Sequence, residues 1–151
     1  MVGGRNGRIR TSFRYIKNTF NLFLEPNINS IYFLGLLKTS QALLKKIYFS
    51  LKENGKPFDA DGVKEMDDTL EQCVKISPLV DDFALSLYPT LVATDVEKHS
   101  QALIQHSRFM LELLKSVHFV SPQDHEQWCN FLIKALDHNH SKLEVWQCIK
   151  N

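Results

Sequence analysis

The sequence predicts an all-α protein, an up-and-down four-helix bundle preceded by a divergent N-terminal extension. Three observations carry this prediction. From residue 30 onward, apolar residues recur at alternating spacings of three and four, the period of an amphipathic helix rather than a strand. No hairpin dipeptide interrupts an alternating apolar–polar run. The helical segments are comparable in length, about 23 to 32 residues or roughly 35–48 Å at the helical rise, and short connections make sequential neighbours antiparallel.

The first helix is predicted over 31–53, with Phe33, Leu37, Leu44, Ile47 and Leu51 on its core stripe and Gly55 as its stop. A loop, "GKPFDADG", follows. The second helix holds one heptad register through Val63, Met66, Leu70, Cys73, Ser77, Val80, Ala84, Leu87 and Leu91. In this register Pro78 and Pro89 fall on outer positions, where carbonyls left without a donor can bond to water. Residues 61–92 then form one long helix kinked near Pro78. The rival is two short helices, the second capped by Ser77 with Pro78 in its first position. Thr94 and Glu97 form the capping box of a third helix, whose stripe is Val96, His99, Leu103, His106, Met110, Leu113 and Val117. In "SPQD", Ser121 caps a fourth helix, Pro122 takes its first position and Asp124 favours its positive end. That helix runs to about residue 149, with Trp128, Leu132, Ala135, Leu136, Leu143, Trp146 and Ile149 inward.

Residues 1–30 are of another kind. They hold five bases against Glu25 alone, a net charge of +4, while the remaining 13 bases and 16 acids net −3. Ile9, Phe13, Ile16, Phe20 and Phe23 make a single helical stripe with Arg10, Arg14 and Lys17 mostly off it. This extension reads either as an extra segment packing on the domain or as a membrane-surface or organelle-targeting helix. The expected division is therefore a basic amphipathic extension, 1–30, and a helical bundle, 31–151.

Composition excludes several functions. The bundle has no basic excess for direct nucleic-acid binding. Cys73, Cys129 and Cys148 are odd in number and lack C-x-x-C spacing, which argues for a reducing compartment rather than a disulfide framework. The longest apolar run, "IYFLGLL" at 31–37, is far short of the roughly 18 residues of a membrane span.

No constellation supports an enzyme, and no cofactor or metal is expected. Asp81 and Asp82 are adjacent, so on a helix they diverge by about 100° and cannot flank one bond or share one ion. Asp82 faces outward and Asp81 flanks the core, which reads as a solvated edge. His138 and His140 diverge on a helix, whereas helical zinc sites use i, i+4. His99 and His106 share a face but have no acid or thiol at a matching spacing, and they read as core-edge residues. Phosphate-binding glycine loops and the G-x-S-x-G elbow are absent.

One feature resists a purely structural explanation. Leu79 and Leu85 fall on outward positions of the second helix, with Phe83 at the flank, and an apolar outer face is either covered or used for binding. Leu79, Asp82, Phe83 and Leu85 are therefore the candidate protein-binding residues. The leucines supply the apolar contact and Asp82 sets orientation.

"LLKKIYFSLKENGK" (43–56), "MDDTLEQCVKISPLVDDFALSLYP" (66–89) and "LIKALDHNHSKL" (132–143) resemble the C-terminal half of the cyclin-D-binding protein family, also called GCIP. The resemblance covers about 31–148; residues 1–30 and the family's N-terminal helical region stand outside it. It implies an all-α, non-enzymatic adaptor of nucleus and cytoplasm that binds D-type cyclins and helix-loop-helix factors and restrains cell-cycle progression. Without the family's other half, the outer ridge would be bare and prone to self-association.

Overall fold

The computed structural model describes residues 28–88 and 92–150, and among these every regular element is helical. Helix α1 spans Ile28–Asn54, α2 spans Ala60–Ser86 and α3 spans Ala93–Leu113. The fourth rod opens with a single turn, α4 (Pro122–Asp124). It passes through a π-helical stretch at His125–Cys129 and continues as α5 (Asn130–Lys150). The N-terminal stripe, Pro89, Leu91 and the side chains of Trp146 and Ile149 lie outside the described residues.

Cross-contacts establish the up-and-down order. Phe33, near the start of α1, meets Phe83, near the end of α2, edge-to-face at 6.1 Å. Asn54, at the end of α1, donates to the carbonyl of Phe119 beyond α3. The fourth rod closes the bundle: α5 packs along α1, α2 along α3, and α3 also lies against α5. The Arg108 guanidinium on α3 pairs with the Asp137 carboxylate on α5.

Helix α1 follows its predicted stripe, with Leu36 and Leu43 added to the buried face. Two close approaches shape it. An ideal Cβ on Gly35 would stand 2.2 Å from Asn139 Oδ1, so only glycine lets the Asn139 side chain of α5 lie against the α1 backbone. Asn139 is buried and donates to the carbonyl of Ala135. At Gly55 a Cβ would meet the carbonyl oxygen of Leu51 at 2.4 Å, and the helix stops at Asn54 as expected.

Helix α2 passes through Pro78 without a break, as the continuous reading expects, and Ser77 is no cap. Pro78 is exposed, so the carbonyl it deprives of a donor lies on the solvent side. The helix ends at Ser86, short of the expected residue 92. Ser86 Oγ donates to the carbonyl of Phe83, and the next amides turn back to Ala84 and Leu85 in tight three-residue bonds. Pro89 disfavours helical geometry at the residue before it and offers no donor of its own. At the other end Asp59 caps α2, its carboxylate accepting from the amide of Asp61.

The inward faces of α2 and α3 are rotated from expectation. On α2 the innermost lines run Cys73, Val80, Leu87 and Thr69, Ile76, Phe83, while Leu70 and Ser77 are only half-buried. On α3 the line Val96, Leu103, Met110 is as expected, and Val117 is buried just beyond the helix end; the companion line is Ser100, Ser107 and the C-cap Leu114 rather than His99, His106, Leu113. The two helices are packed against each other. Ser100 and Ser107 are buried, while the larger histidines are half-buried, and His106 Nε2 reaches the carbonyl of Gln72 on α2 at 2.9 Å.

The capping box expected at Thr94 is absent. Val92 is the N-cap, and its side chain offers no acceptor; its carbonyl takes the amides of Asp95 and Val96. The cap at Ser121 is as expected: its hydroxyl oxygen accepts from the amide of Asp124 at 3.0 Å, and Pro122 takes the first position. The π stretch places Cys129 fully inside.

Candidate protein-interaction surface

Helix α2 alone carries seven acids and two lysines, while α1 carries four lysines and one acid. The outermost line of α2 runs Asp61, Lys64, Asp68, Glu71, Lys75, Pro78, Asp82, Leu85, and every one of these is exposed. Glu71 and Lys75 pair one turn apart at 3.8 Å. Asp68 and Asp82 form no ion pair among the described residues. At its C-terminal end this acidic line turns apolar: Leu85 is 65% exposed. A leucine on the solvent line of a helix with a complete buried face is not needed to close that face and is free to meet a partner.

The four sequence candidates separate. Leu85 and Asp82 stand on the outer line. Leu79 is half-buried, its inner side against the core and its outer edge beside Pro78 and Asp82. Phe83 is fully buried against Phe33, a correction to its expected flank position, because the α2 seam is rotated towards it. The surface is therefore Leu85 with the outer edge of Leu79, flanked by Asp82. Asp81 sits at the boundary as expected, with one carboxylate oxygen buried and without a hydrogen-bond partner among the described residues. Other exposed apolar side chains include Phe58, 98% exposed after Pro57, and Phe131 on α5. Phe131 lies off the Trp128/Leu132/Leu136 stripe, and that offset was readable in the sequence.

Several groups able to do chemistry are engaged in structure. Burial pushes the thiols of Cys73 and Cys129 up to about 12, so neither presents a thiolate. His138 lies edge-on to Tyr32 and His140 approaches Glu144. Among the described residues no three His, Cys, Asp or Glu side chains converge as a metal site would need. No described helix is long and apolar enough to cross a membrane.

At the opposite end from Leu85, His118 ties three segments together. Its ring Nδ1 and its backbone amide both meet Glu65 Oε2, at 2.7 and 2.9 Å. Its Nε2 accepts from the amide of Lys56 at 3.0 Å, which places the ring proton on Nδ1. The backbone amide of His118, and then its ring, hold the Glu65 carboxyl below its ordinary range.

The family model for Grap2 and cyclin-D-interacting proteins, C-terminal region, matches residues 32–112, a little over half of the chain. The chain belongs to this family. The GCIP match spans α1, α2 and α3 and includes the whole Leu79–Leu85 ridge. Among curated relatives, human cyclin-D1-binding protein 1 is 39% identical over 111 residues, covering 74% of this chain and 30% of that protein. The Bos taurus protein of the same name is 40% identical over 111 residues, with the same coverage. The Xenopus laevis homologue is 37% identical over 109 residues, covering 72% of this chain and 33% of its own length. The chain thus spans about a third of the length of these GCIP relatives.

Proposed function

We propose that this chain is a non-enzymatic protein-interaction module that engages a D-type cyclin through the outer face of α2, and that it restrains cell-cycle progression in cytoplasm and nucleus. The observation that carries this reading is the 65% exposure of Leu85 on the solvent line of α2, inside the span matched to the family. The relatives' name, cyclin-D1-binding protein, supplies the partner class; helix-loop-helix factors are the other partners that the resemblance implies. Buried apolar anchors at interfaces often contribute about 2 kcal/mol or more, whereas rim charges contribute little. Leu85 is therefore the anchor and Asp82 the orienting charge.

Pull-down and titration of purified D-type cyclin with the chain test this. Leu85→Ala is expected to weaken binding about 30-fold, the equivalent of roughly 2 kcal/mol, with Asp82→Ala changing it less than about 3-fold and both proteins keeping their helical content. Unchanged cyclin affinity in folded Leu85→Ala protein sinks the assignment of the surface. The full-length relative then serves as competitor. A chain that binds cyclin through this face displaces it; one that needs the relatives' additional length does not.

A further inference from the structure

We propose that two copies of the chain form a closed two-fold dimer through the side of the bundle shared by α1 and α2, the lysine line of α1 in each copy lying antiparallel on the outer line of α2 in the other.

Three observations converge. The first is placement. Helix α5 packs along α1 and α3 along α2, so α1 and α2 together make one lateral side of the bundle. On α1, Gly35 against Asn139 and Tyr32 against His138 mark the face turned to α5. The exposed residues Ile31, Lys38, Lys45 and Lys52 lie about 40° to 100° round from Gly35, on the side away from Tyr32. On α2 the carbonyl of Gln72 meets His106 of α3, and exposed Glu71 and Leu85 lie about 100° and 140° round from it.

The second is level. Phe33 meets Phe83, which sets these two residues at one height along the bundle. Two residues nearer that end on each helix, Ile31 is level with Leu85. Twelve residues the other way, Lys45 is level with Glu71. A two-fold axis parallel to the helices keeps every height and exchanges α1 of one copy for α2 of the other. It therefore lays Ile31 against the second copy's Leu85 and Lys45 against its Glu71, and each contact occurs twice.

The third is chemistry. Ile31 is 62% exposed and Leu85 65%, so the residues brought together at one end are both apolar and both in water in the single chain. The α1 line carries three lysines and no acid, while the outermost line of α2 carries four acids and two lysines. Glu71 pairs at 3.8 Å with Lys75 of its own helix, and a carboxylate accepts more than one donor. Two α1 lines repel each other, as do two α2 lines, so the surfaces fit crosswise. The apolar pair supplies the attraction and the charges set the register.

The dimer stands on these features without the cyclin reading. That it competes with a partner for Leu85 rests on the function proposed above.

Sedimentation velocity of the full chain between about 5 and 500 μM, the range of a weak interface, tests the dimer. The 17.5 kDa chain is expected to approach twice its mass and to stop there. Lys45→Glu and Glu71→Lys should each weaken the dimer about tenfold, because each sets two like-charged contacts across the axis. The two changes in one chain should restore it, and a mixture of the two single variants should form a 1:1 dimer. Circular dichroism should show unchanged helical content in every variant, since both positions are exposed. A monomer at all concentrations overturns the proposal. Assemblies larger than two copies overturn it in favour of a head-to-tail chain. A dimer broken by Leu85→Asp but indifferent to both charge variants overturns it in favour of Leu85 packed on Leu85. A monomer that instead binds phosphatidylserine vesicles through Lys45 overturns it in favour of a lipid surface. Cyclin enters no arm of the experiment, so failure of the cyclin assignment leaves these results as they are.

Discussion

Gly35 is where a single atom decides how two helices meet. A Cβ there would overlap Asn139 Oδ1, and Asn139 is buried with its amide bound to Ala135. Gly35→Ala is therefore expected to destabilise the fold by about 1–3 kcal/mol, the usual penalty of overpacking. Gly35→Ala/Asn139→Ala should recover part of this loss, because the two residues are in contact and their effects do not add. Chemical denaturation of the two single variants and the double closes the cycle; additive losses would mean that Gly35 matters for another reason. Glu65 supplies a second residue-scale prediction. Its folded carboxyl titrates below its unfolded value because His118 donates to the charged form. The stabilisation is complete above the ordinary carboxyl value of 4.5 and is lost as pH falls through the lowered folded value. Melting curves between pH 7 and 3 should show Glu65→Gln starting less stable and losing less on acidification. Parallel curves for the two proteins would remove His118 as the cause. Glu65 is partly exposed, so the effect should be modest and weaker in salt.

Helix α2 carries the predictions at the scale of an element. Pro78 stands on its solvent line and costs the helix one hydrogen bond and a ring contact with the preceding turn. Pro78→Ala should be neutral or stabilising by thermal melt; a loss above about 1 kcal/mol would mean that proline sets a needed bend. Phe83 and Leu85 are two residues apart on this helix, with opposite fates. Phe83→Ala should cost about 3–5 kcal/mol, as emptying a buried aromatic site does. Leu85→Ala should leave stability within about 0.5 kcal/mol while weakening partner binding. Equal losses of stability would place Leu85 in the core.

At the scale of the whole molecule, four helical rods share the described core. A chain lacking residues 1–27 should still unfold cooperatively. Its melting point should fall by no more than about 5 °C, the equivalent of roughly 1 kcal/mol. A larger fall would make the segment part of the core. Light scattering of the full chain is expected to show concentration-dependent self-association through the Leu85 surface that Leu85→Asp suppresses.

The all-α class, the number of rods, the stop at Gly55 and the cap at Ser121 were legible in the sequence, whereas at Pro78 the sequence left a continuous helix and a Ser77-capped break both open. Each of the legible features follows from local rules of spacing, caps and breakers acting within a few residues. Leu85 was legible too, since an apolar residue opposite a buried face is visible in any register near the right one. The depth of Phe83 was not legible. Thr69, Leu70, Cys73, Ile76, Ser77, Val80, Phe83 and Ala84 make an α2 stripe wider than one seam. A wide stripe buries nearly as much in two adjacent rotations. The neighbours chose between them: Phe33 of α1 met the Phe83 ring. The sequence by itself determined which segments are helical and that α2 has an acidic outer line ending in leucine. Only the tertiary structure decided which residues of that helix remain for a partner, because the rotation of a helix is set by the surfaces it meets.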